Sequence, residues 1–226
     1  GVQDTTLFSN TLGNGFIVKL DSLGEFEWLA RVSGNYGSGI EDITLDDQGN
    51  VYSTGFVRGI GTLDVGGENF ALGSGANYTG FVMTFDPDGN YLWSQLFNNV
   101  SGAHNSTGYE ILVVNNKLLL TGSFSGTMDM NPAGTPITLS STNGTNFLIC
   151  LDTNSTYNWH HQVFNNADDG RTLTADSAGN IYYSYLASNT YLKKFDLNGN
   201  VLLNIDWGSG NSFVIEDVAI DQDSGI

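Results

Sequence analysis

Apolar and polar residues alternate with a period of two through short runs, and nearly every run breaks at a turn of the form Asp-x-x-Gly. The run Phe16-Ile-Val-Lys-Leu leads into Asp21-Ser-Leu-Gly24 and on to Trp28. It returns as Phe81-Val-Met-Thr-Phe, Asp86-Pro-Asp-Gly89 and Trp93, again as Phe147-Leu-Ile-Cys-Leu, Asp152-Thr-Asn-Ser and Trp159, and in a weaker copy from Tyr191 through Asp196 and Gly199 to Leu203. The four Asp are spaced by 65, 66 and 44 residues. A second phrase alternates with the first: Ile43-Thr-Leu-Asp46 to Gly55, Ile111-Leu-Val-Val114 to Gly122, Leu173-Thr-Ala-Asp176 to Tyr182, and a start at Val218-Ala-Ile-Asp221. Period-two runs around an Asp-led, Gly-closed turn predict β-hairpins, because Asp bonds the backbone two residues on and Gly takes positive φ. No 3.6-residue period occurs, so helices are not expected.

Two hairpins per unit make a four-stranded antiparallel sheet, and such units repeated every 40 to 65 residues predict an all-β fold, a β-propeller of four-stranded blades. On this reading residues 1–226 are a single propeller segment. Residues 16–32 give half a blade, 40–97, 109–163 and 172–205 give one blade each, and 216–226 open the next. The expected ring is therefore incomplete, at about three and a half blades. Two inserts, Gly61 to Leu72 and Gly126 to Leu139, predict an extra hairpin on one edge of their units.

The alternation of Phe-Val-x-x-x-Asp-x-x-Gly-Asn-x-x-Trp with Ile-x-x-Asp-x-x-Gly-Asn-Val-Tyr-x-Thr-Gly resembles the bacterial SBBP β-propeller repeat, from Phe16 to Ile226. The chain departs from it at Leu203, where Trp stands in the repeat, at Asn154-Ser-Thr156 and at Asn115-Asn116. The resemblance implies a large secreted or cell-surface protein of the Bacteroidetes type, hence an extracellular or cell-surface location and a binding, adhesion or structural-spacer role rather than catalysis. Asp86-x-x-Gly89-x-x-x-Trp93 is one residue shorter than the quinoprotein-type spacing, and the sialidase Asp-box spacing does not fit either.

Composition narrows the partners. Seven Lys and Arg stand against 24 Asp and Glu, a formal charge of −17, which excludes a basic nucleic-acid-binding face. Eighteen of the acids are Asp, and 25 Asn and 29 Gly accompany them, the signature of many tight turns. No apolar run is long enough to span a membrane as a helix. Gly1 to Asn10 shows neither a basic start nor an apolar stretch and does not begin with Met, which fits a processed or excised segment. One cysteine, Cys150, precludes an internal disulfide framework, and it falls at a strand position of the repeat.

Candidate chemistry is sparse. Asp86, Asp88 and Asn90 place oxygen donors within five residues, a weak calcium candidate set beside its ordinary role as a hairpin turn; no other cofactor is expected. The Trp series could stack sugars, but a residue at one fixed repeat position is expected to pack between blades. His160 and His161 are strand neighbours pointing to opposite faces, so they do not form one metal site. Zinc-protease, hydrolase-elbow and phosphate-loop strings are absent, and no catalytic residue is assigned. Glu41-Asp42 and Asp168-Asp169 are carboxylate pairs, but glycoside chemistry needs carboxylates facing each other across a cleft. Asn77, Asn99, Asn105, Asn143 and Asn154 open Asn-x-Ser/Thr triplets, and Ser22 and Ser177 follow Asp in weak O-glycosylation patterns. The expected partner is a glycan or protein on a loop face, with further blades of a longer parent chain or self-association at the open ends. The alternative function is a polysaccharide-acting propeller hydrolase or lyase.

Overall fold

Alternation produces strands throughout the computed structural model, which describes residues 13–73, 77–101, 105–163, 172–186, 189–208, 215 and 217–221. In chain order these are β1 (Gly15–Leu20), β2 (Phe26–Gly34), β3 (Ser38–Leu45), β4 (Val51–Arg58), β5 (Gly61–Val65), β6 (Glu68–Leu72), β7 (Tyr78–Phe85) and β8 (Tyr91–Phe97). They continue with β9 (Asn99–Ser101), β10 (Ser106–Val114), β11 (Lys117–Asp129), β12 (Thr138–Asp152) and β13 (Tyr157–Val163). The last four are β14 (Thr172–Ala175), β15 (Ile181–Leu186), β16 (Thr190–Phe195) and β17 (Val201–Asp206). Among the described residues there is no helix.

The strands form four antiparallel sheets, ordered β1-β2-β5-β6, β3-β4-β7-β8, β10-β11-β12-β13 and β14-β15-β16-β17. These are the expected four-stranded propeller blades, side by side along the chain. The second to fourth sheets are built from strands within residues 38–97, 106–163 and 172–206. The first differs from the half blade read at 16–32. Its missing strands come from the insert β5-β6, which leaves the second unit and pairs β5 with β2, Val32 opposite Leu63. Period-two alternation tells a strand which face to bury and not which neighbour to pair with, so the insert's destination is a tertiary outcome. The second insert reaches back in a related way. It prolongs β11 and β12 into one long hairpin, and Thr127 and Met128 of β11 pair with Ser101 and Asn99 of β9, just past the outer strand β8. Residues 217–221, expected to open a further blade, are described but not as strand. Among the described residues no strand pairing joins the first sheet to the fourth.

The core lies between sheets. One cluster joins Trp28, Ala30 and Val32 of the first sheet to Phe81, Met83 and Phe85 of the second, with Leu63 and Leu72 of the insert sealed beneath. The next joins Tyr52, Val82 and Phe97 to Phe147, Ile149 and Leu151. The third joins Leu148, Cys150 and Val163 to Tyr183, Tyr185 and Phe195. Each central strand therefore buries both faces, one toward each neighbour, which is why β7 and β12 read as near-continuous apolar runs.

The hairpin turns repeat one geometry. At Asp46, Asp86, Asp176 and Asp196 one carboxylate oxygen accepts the N–H groups of residues i+2 and i+4, and the other accepts the Asn i+4 side-chain amide at 2.7–2.8 Å. Gly89 takes φ +85° in this turn, and Ser155 takes φ +71° at the same place in the Asp152 turn. Asn115 and Asn116, φ +49° and +60°, form the two-residue hairpin that replaces the longer turn in the third sheet.

Gly89 also has a neighbour: a Cβ there would lie 2.4 Å from the Trp28 ring, whereas a Cβ at Gly24 would meet nothing within 4 Å. Gly24→Ala carries only the backbone penalty of about 1–2 kcal/mol for a positive φ. Gly89→Ala adds the collision with the indole, about 1–3 kcal/mol more. Thermal unfolding of the two variants should show Gly89→Ala losing about twice as many degrees; equal losses would mean that the Trp28 contact is not a fixed part of the fold.

Candidate functional site

The residues singled out in the sequence fall into three places: the Asp turns, the Trp positions and the inner strands. At Asp86 both carboxylate oxygens are engaged, by the N–H groups of Asp88 and Asn90 and by the Asn90 amide. The Asn90 amide, helped by backbone N–H groups, holds the Asp86 carboxyl below its ordinary range. Of the three candidate calcium donors, Asp86 and Asn90 are thus bonded to each other, and Asp88 meets Asp86 through its main-chain N–H. At Asp176 burial works against ionisation, but Asn180, Lys194 and Tyr182 outweigh it and hold the carboxyl at about 2. Among the described residues no group of three or more His, Cys, Asp or Glu side chains is placed to hold a metal ion.

The Trp residues reach across to the next sheet. Trp28 Nε1 donates to the Pro87 carbonyl at 3.1 Å, Trp93 Nε1 to Thr153 at 3.2 Å and Trp159 Nε1 to Leu197 at 2.9 Å. Each acceptor is the residue after the turn Asp, so the same indole-to-turn bond is made three times. Lys19 Nζ adds a second donor to the Pro87 carbonyl. His161 packs against Trp159 and Phe195 with Nε2 2.8 Å from the Gly199 carbonyl, while His160 Nδ1 lies 2.7 Å from the Tyr157 hydroxyl. The two imidazoles serve different partners, as strand geometry requires. Cys150 is fully buried between the third and fourth sheets, and burial pushes its thiol up to about 12, which leaves it without thiolate character at neutral pH.

The inner strands carry a carboxylate row that the sequence only half revealed. β3, β10 and β14 open their sheets, and β10 contacts both β3 and β14. Asp42 Oδ2 on β3 accepts the N–H of Ile111 on β10 at 2.8 Å, and Glu110 Oε2 on β10 accepts the N–H of Leu173 on β14 at 2.6 Å. Each acid sits where the ladder of its own strand shifts register, next to the apolar residue that begins the phrase. Burial raises Asp42, and burial together with the charges of Asp42 and Asp217 pushes Glu110 up to about 7. The sequence singles out Asp42 as a pair with its neighbour Glu41. Glu110 and Asp217 were missed. The signal was available as a column: Asp42, Glu110 and Asp217 all precede the first apolar residue of the second phrase, and Thr172 fills the slot in the fourth sheet.

A cleft of about 290 Å³ opens between the insert and the second sheet, lined by Val65, Gly66, Glu68, Phe70, Asn90 and Tyr91. Phe70 and Tyr91 stack with ring centroids 4.1 Å apart. It exists because the insert crosses to the first sheet, so no repeat position predicts it. The candidate modification sites Ser22, Ser177, Asn77, Asn105, Asn143 and Asn154 are exposed. Asn105 and Asn154 also cap local N–H groups, of Tyr78 and Thr156, and Asn99 lies in β9. The carboxylate pair Asp168-Asp169 lies outside the described residues.

No family description matches this sequence, and no curated protein does. Among solved structures it is similar to a Bacteroides ovatus protein whose hydrolase assignment is provisional, at 12% identity and TM-score 0.38, over 82% of this chain and 61% of that one. It is also similar to BamB from Moraxella catarrhalis, at 10% identity and TM-score 0.29, over 92% and 74% of the two chains. A protein of unknown function from Bacteroides caccae matches at 10% identity and TM-score 0.26, over 85% and 93%. This chain spans about three fifths of the length of the Bacteroides ovatus protein.

Because the folded state raises Glu110, it binds that proton more tightly than the unfolded chain does. Its contribution is complete below the ordinary Glu value of about 4.5, drains away as pH climbs to about 7 and stays lost above. Glu110→Gln keeps a carbonyl for the Leu173 N–H and removes the charge. It should raise the melting temperature by about 2–4 °C at pH 8 and leave it unchanged at pH 4; a variant less stable at both would show that the charge is needed. At Asp86, with both oxygens held internally, a chelator should shift the melting temperature by less than about 1 °C, and a drop of several degrees would establish a bound cation.

Proposed function

We propose that this chain is a non-catalytic β-propeller segment of the SBBP type it resembles, acting as a binding and spacer module of a secreted or cell-surface protein. The observation that carries this reading is where the chemically capable side chains are spent. Asp42 and Glu110 grip the backbone of the next blade, the turn Asp residues grip their own loops, and the Trp and His161 side chains grip the next turn. A chain whose acids and imidazoles serve as fasteners presents shape and loop chemistry to a partner. The cleft between the insert and the second sheet is the place we assign for a ligand, with Glu68 and Asn90 as polar anchors beside the Tyr91 ring. A glycan is the class that suits an acid, an amide and an aromatic at one small cleft.

A second reading, polysaccharide hydrolysis or elimination, draws support from Glu110, whose value near 7 suits a proton-transfer residue and whose neighbour on the adjoining inner strand is Asp42. The binding reading is preferred because both carboxylates already hold main-chain N–H groups.

Two measurements separate these readings. A glycan array and a protein-ligand screen should return a ligand whose affinity falls at least tenfold in Glu68→Ala, with melting temperature unchanged because Glu68 is exposed; a blank screen removes the binding role. Turnover on a polysaccharide panel that vanishes in Asp42→Asn, itself folded, would replace the binding reading with the catalytic one.

A further inference from the structure

The same interface is built three times among the described residues, and its leading half is present a fourth time as an exposed face. Phe81, Met83 and Phe85 of β7 face the preceding sheet and are 0% exposed. Their repeat equivalents on β1 are Phe16, Val18 and Leu20, which are 50%, 43% and 51% exposed. The opposite face of β1 is ordinary: Ile17 is buried against the second sheet and Lys19 donates to the Pro87 carbonyl. The exposure is therefore confined to the side on which a preceding blade would stand.

The turn below this face tells what it is shaped to receive. The Asp21 turn has the same frame as the others, with Asp21 accepting the N–H groups of Leu23 and Glu25 at 2.8 Å and Gly24 at φ +82°. Ser22 holds the position of Pro87, Thr153 and Leu197, whose carbonyls each accept an indole N–H. A Cβ at Gly89 would stand 2.4 Å from Trp28 and one at Gly199 would stand 2.8 Å from Trp159, yet Gly24 has nothing within 4 Å. The acceptor and the glycine floor of an indole seat are in place.

We propose that this leading face of the first sheet is a docking face for a further blade of the same repeat, lying outside these 226 residues, whose outermost strand sets a Trp indole on the Ser22 carbonyl. A second copy of this chain is not the occupant. Its trailing strand β17 offers Leu203 at the Trp position, with no N–H to donate. It also places Trp207, 49% exposed, where Val32, Phe97 and Val163 sit in the other sheets. The three Trp of the right register, Trp28, Trp93 and Trp159, are already seated inside the chain.

Leu203→Trp supplies the missing indole at the trailing end and turns the full chain into its own probe. Wild type should sediment as a monomer, with fast amide exchange over Phe16–Leu20. Leu203→Trp should associate, or close on itself, and slow that exchange at least tenfold. Val18→Asp, a change at an exposed position, should abolish the effect in the double variant while leaving the wild-type fold intact. The proposal fails if Leu203→Trp sediments and exchanges like wild type, or if its association survives Val18→Asp. It also fails if wild type already associates through Phe16, Val18 and Leu20, since a second copy would then be the occupant.

Discussion

Burial between neighbouring sheets is the constraint from which everything else in this molecule follows. A four-stranded sheet has two faces and no interior, so a blade standing alone would leave both in water. Here each apolar cluster draws its members from two neighbouring sheets, and the polar fasteners cross the same seams. Trp indoles bind at one end of each blade, Asp42 and Glu110 at the inner edge, and the inserts at the outer one. The fold is therefore held as a chain of pairwise contacts, and losing one sheet weakens its neighbours directly.

The fasteners differ in physical kind, and each suits its position. Under Trp28 and Trp159 the indole-to-carbonyl bond sits over a turn whose glycine, Gly89 or Gly199, leaves room for the ring, so the glycine is chosen twice, once for positive φ and once for the neighbour's Trp. Ser155 takes that place under Trp93. The inner-edge carboxylates bind main-chain N–H groups of the next blade: Asp42 takes that of Ile111, beside the register shift of β10, and Glu110 takes that of Leu173 on β14, whose ladder runs without a shift. Holding Asp42 and Glu110 in partly buried surroundings, with exposed Asp217 adding its charge to Glu110, has an electrostatic cost, which appears as the raised values of Asp42 and Glu110. The chain accepts that cost at the inner edge, where backbone groups most need an acceptor.

Much of the fold was legible because the repeat fixes strands, turns and faces together. The Phe81 and Phe147 runs, the Asp-x-x-Gly turns and the seam-packing role of Trp28, Trp93 and Trp159 could all be read from alternation and register. The destination of Gly61 to Leu72 could not, since a hairpin carries the same alternation whichever sheet it joins. For the same reason the cleft beside Tyr91 was invisible: it lies between segments of different sheets. The carboxylate row was half legible. Asp42 was noticed as a neighbour of Glu41, although its working relationship is with Glu110, 68 positions along the chain and one blade away. Comparing repeats position by position finds such pairs; reading neighbours along the strand does not.

The backward reach of β5 and β6 sets an order on biosynthesis. The first sheet has only β1 and β2 until the chain beyond Leu72 has left the ribosome, and Leu63 must then travel back past β3 and β4 to lie against Val32. Until that moment β2 offers an open hydrogen-bonding edge to any passing strand, a hazard for nascent β-proteins. A strap supplied by the following unit closes that edge only once its own sheet has begun to form, so completion of one blade reports that synthesis of the next is under way.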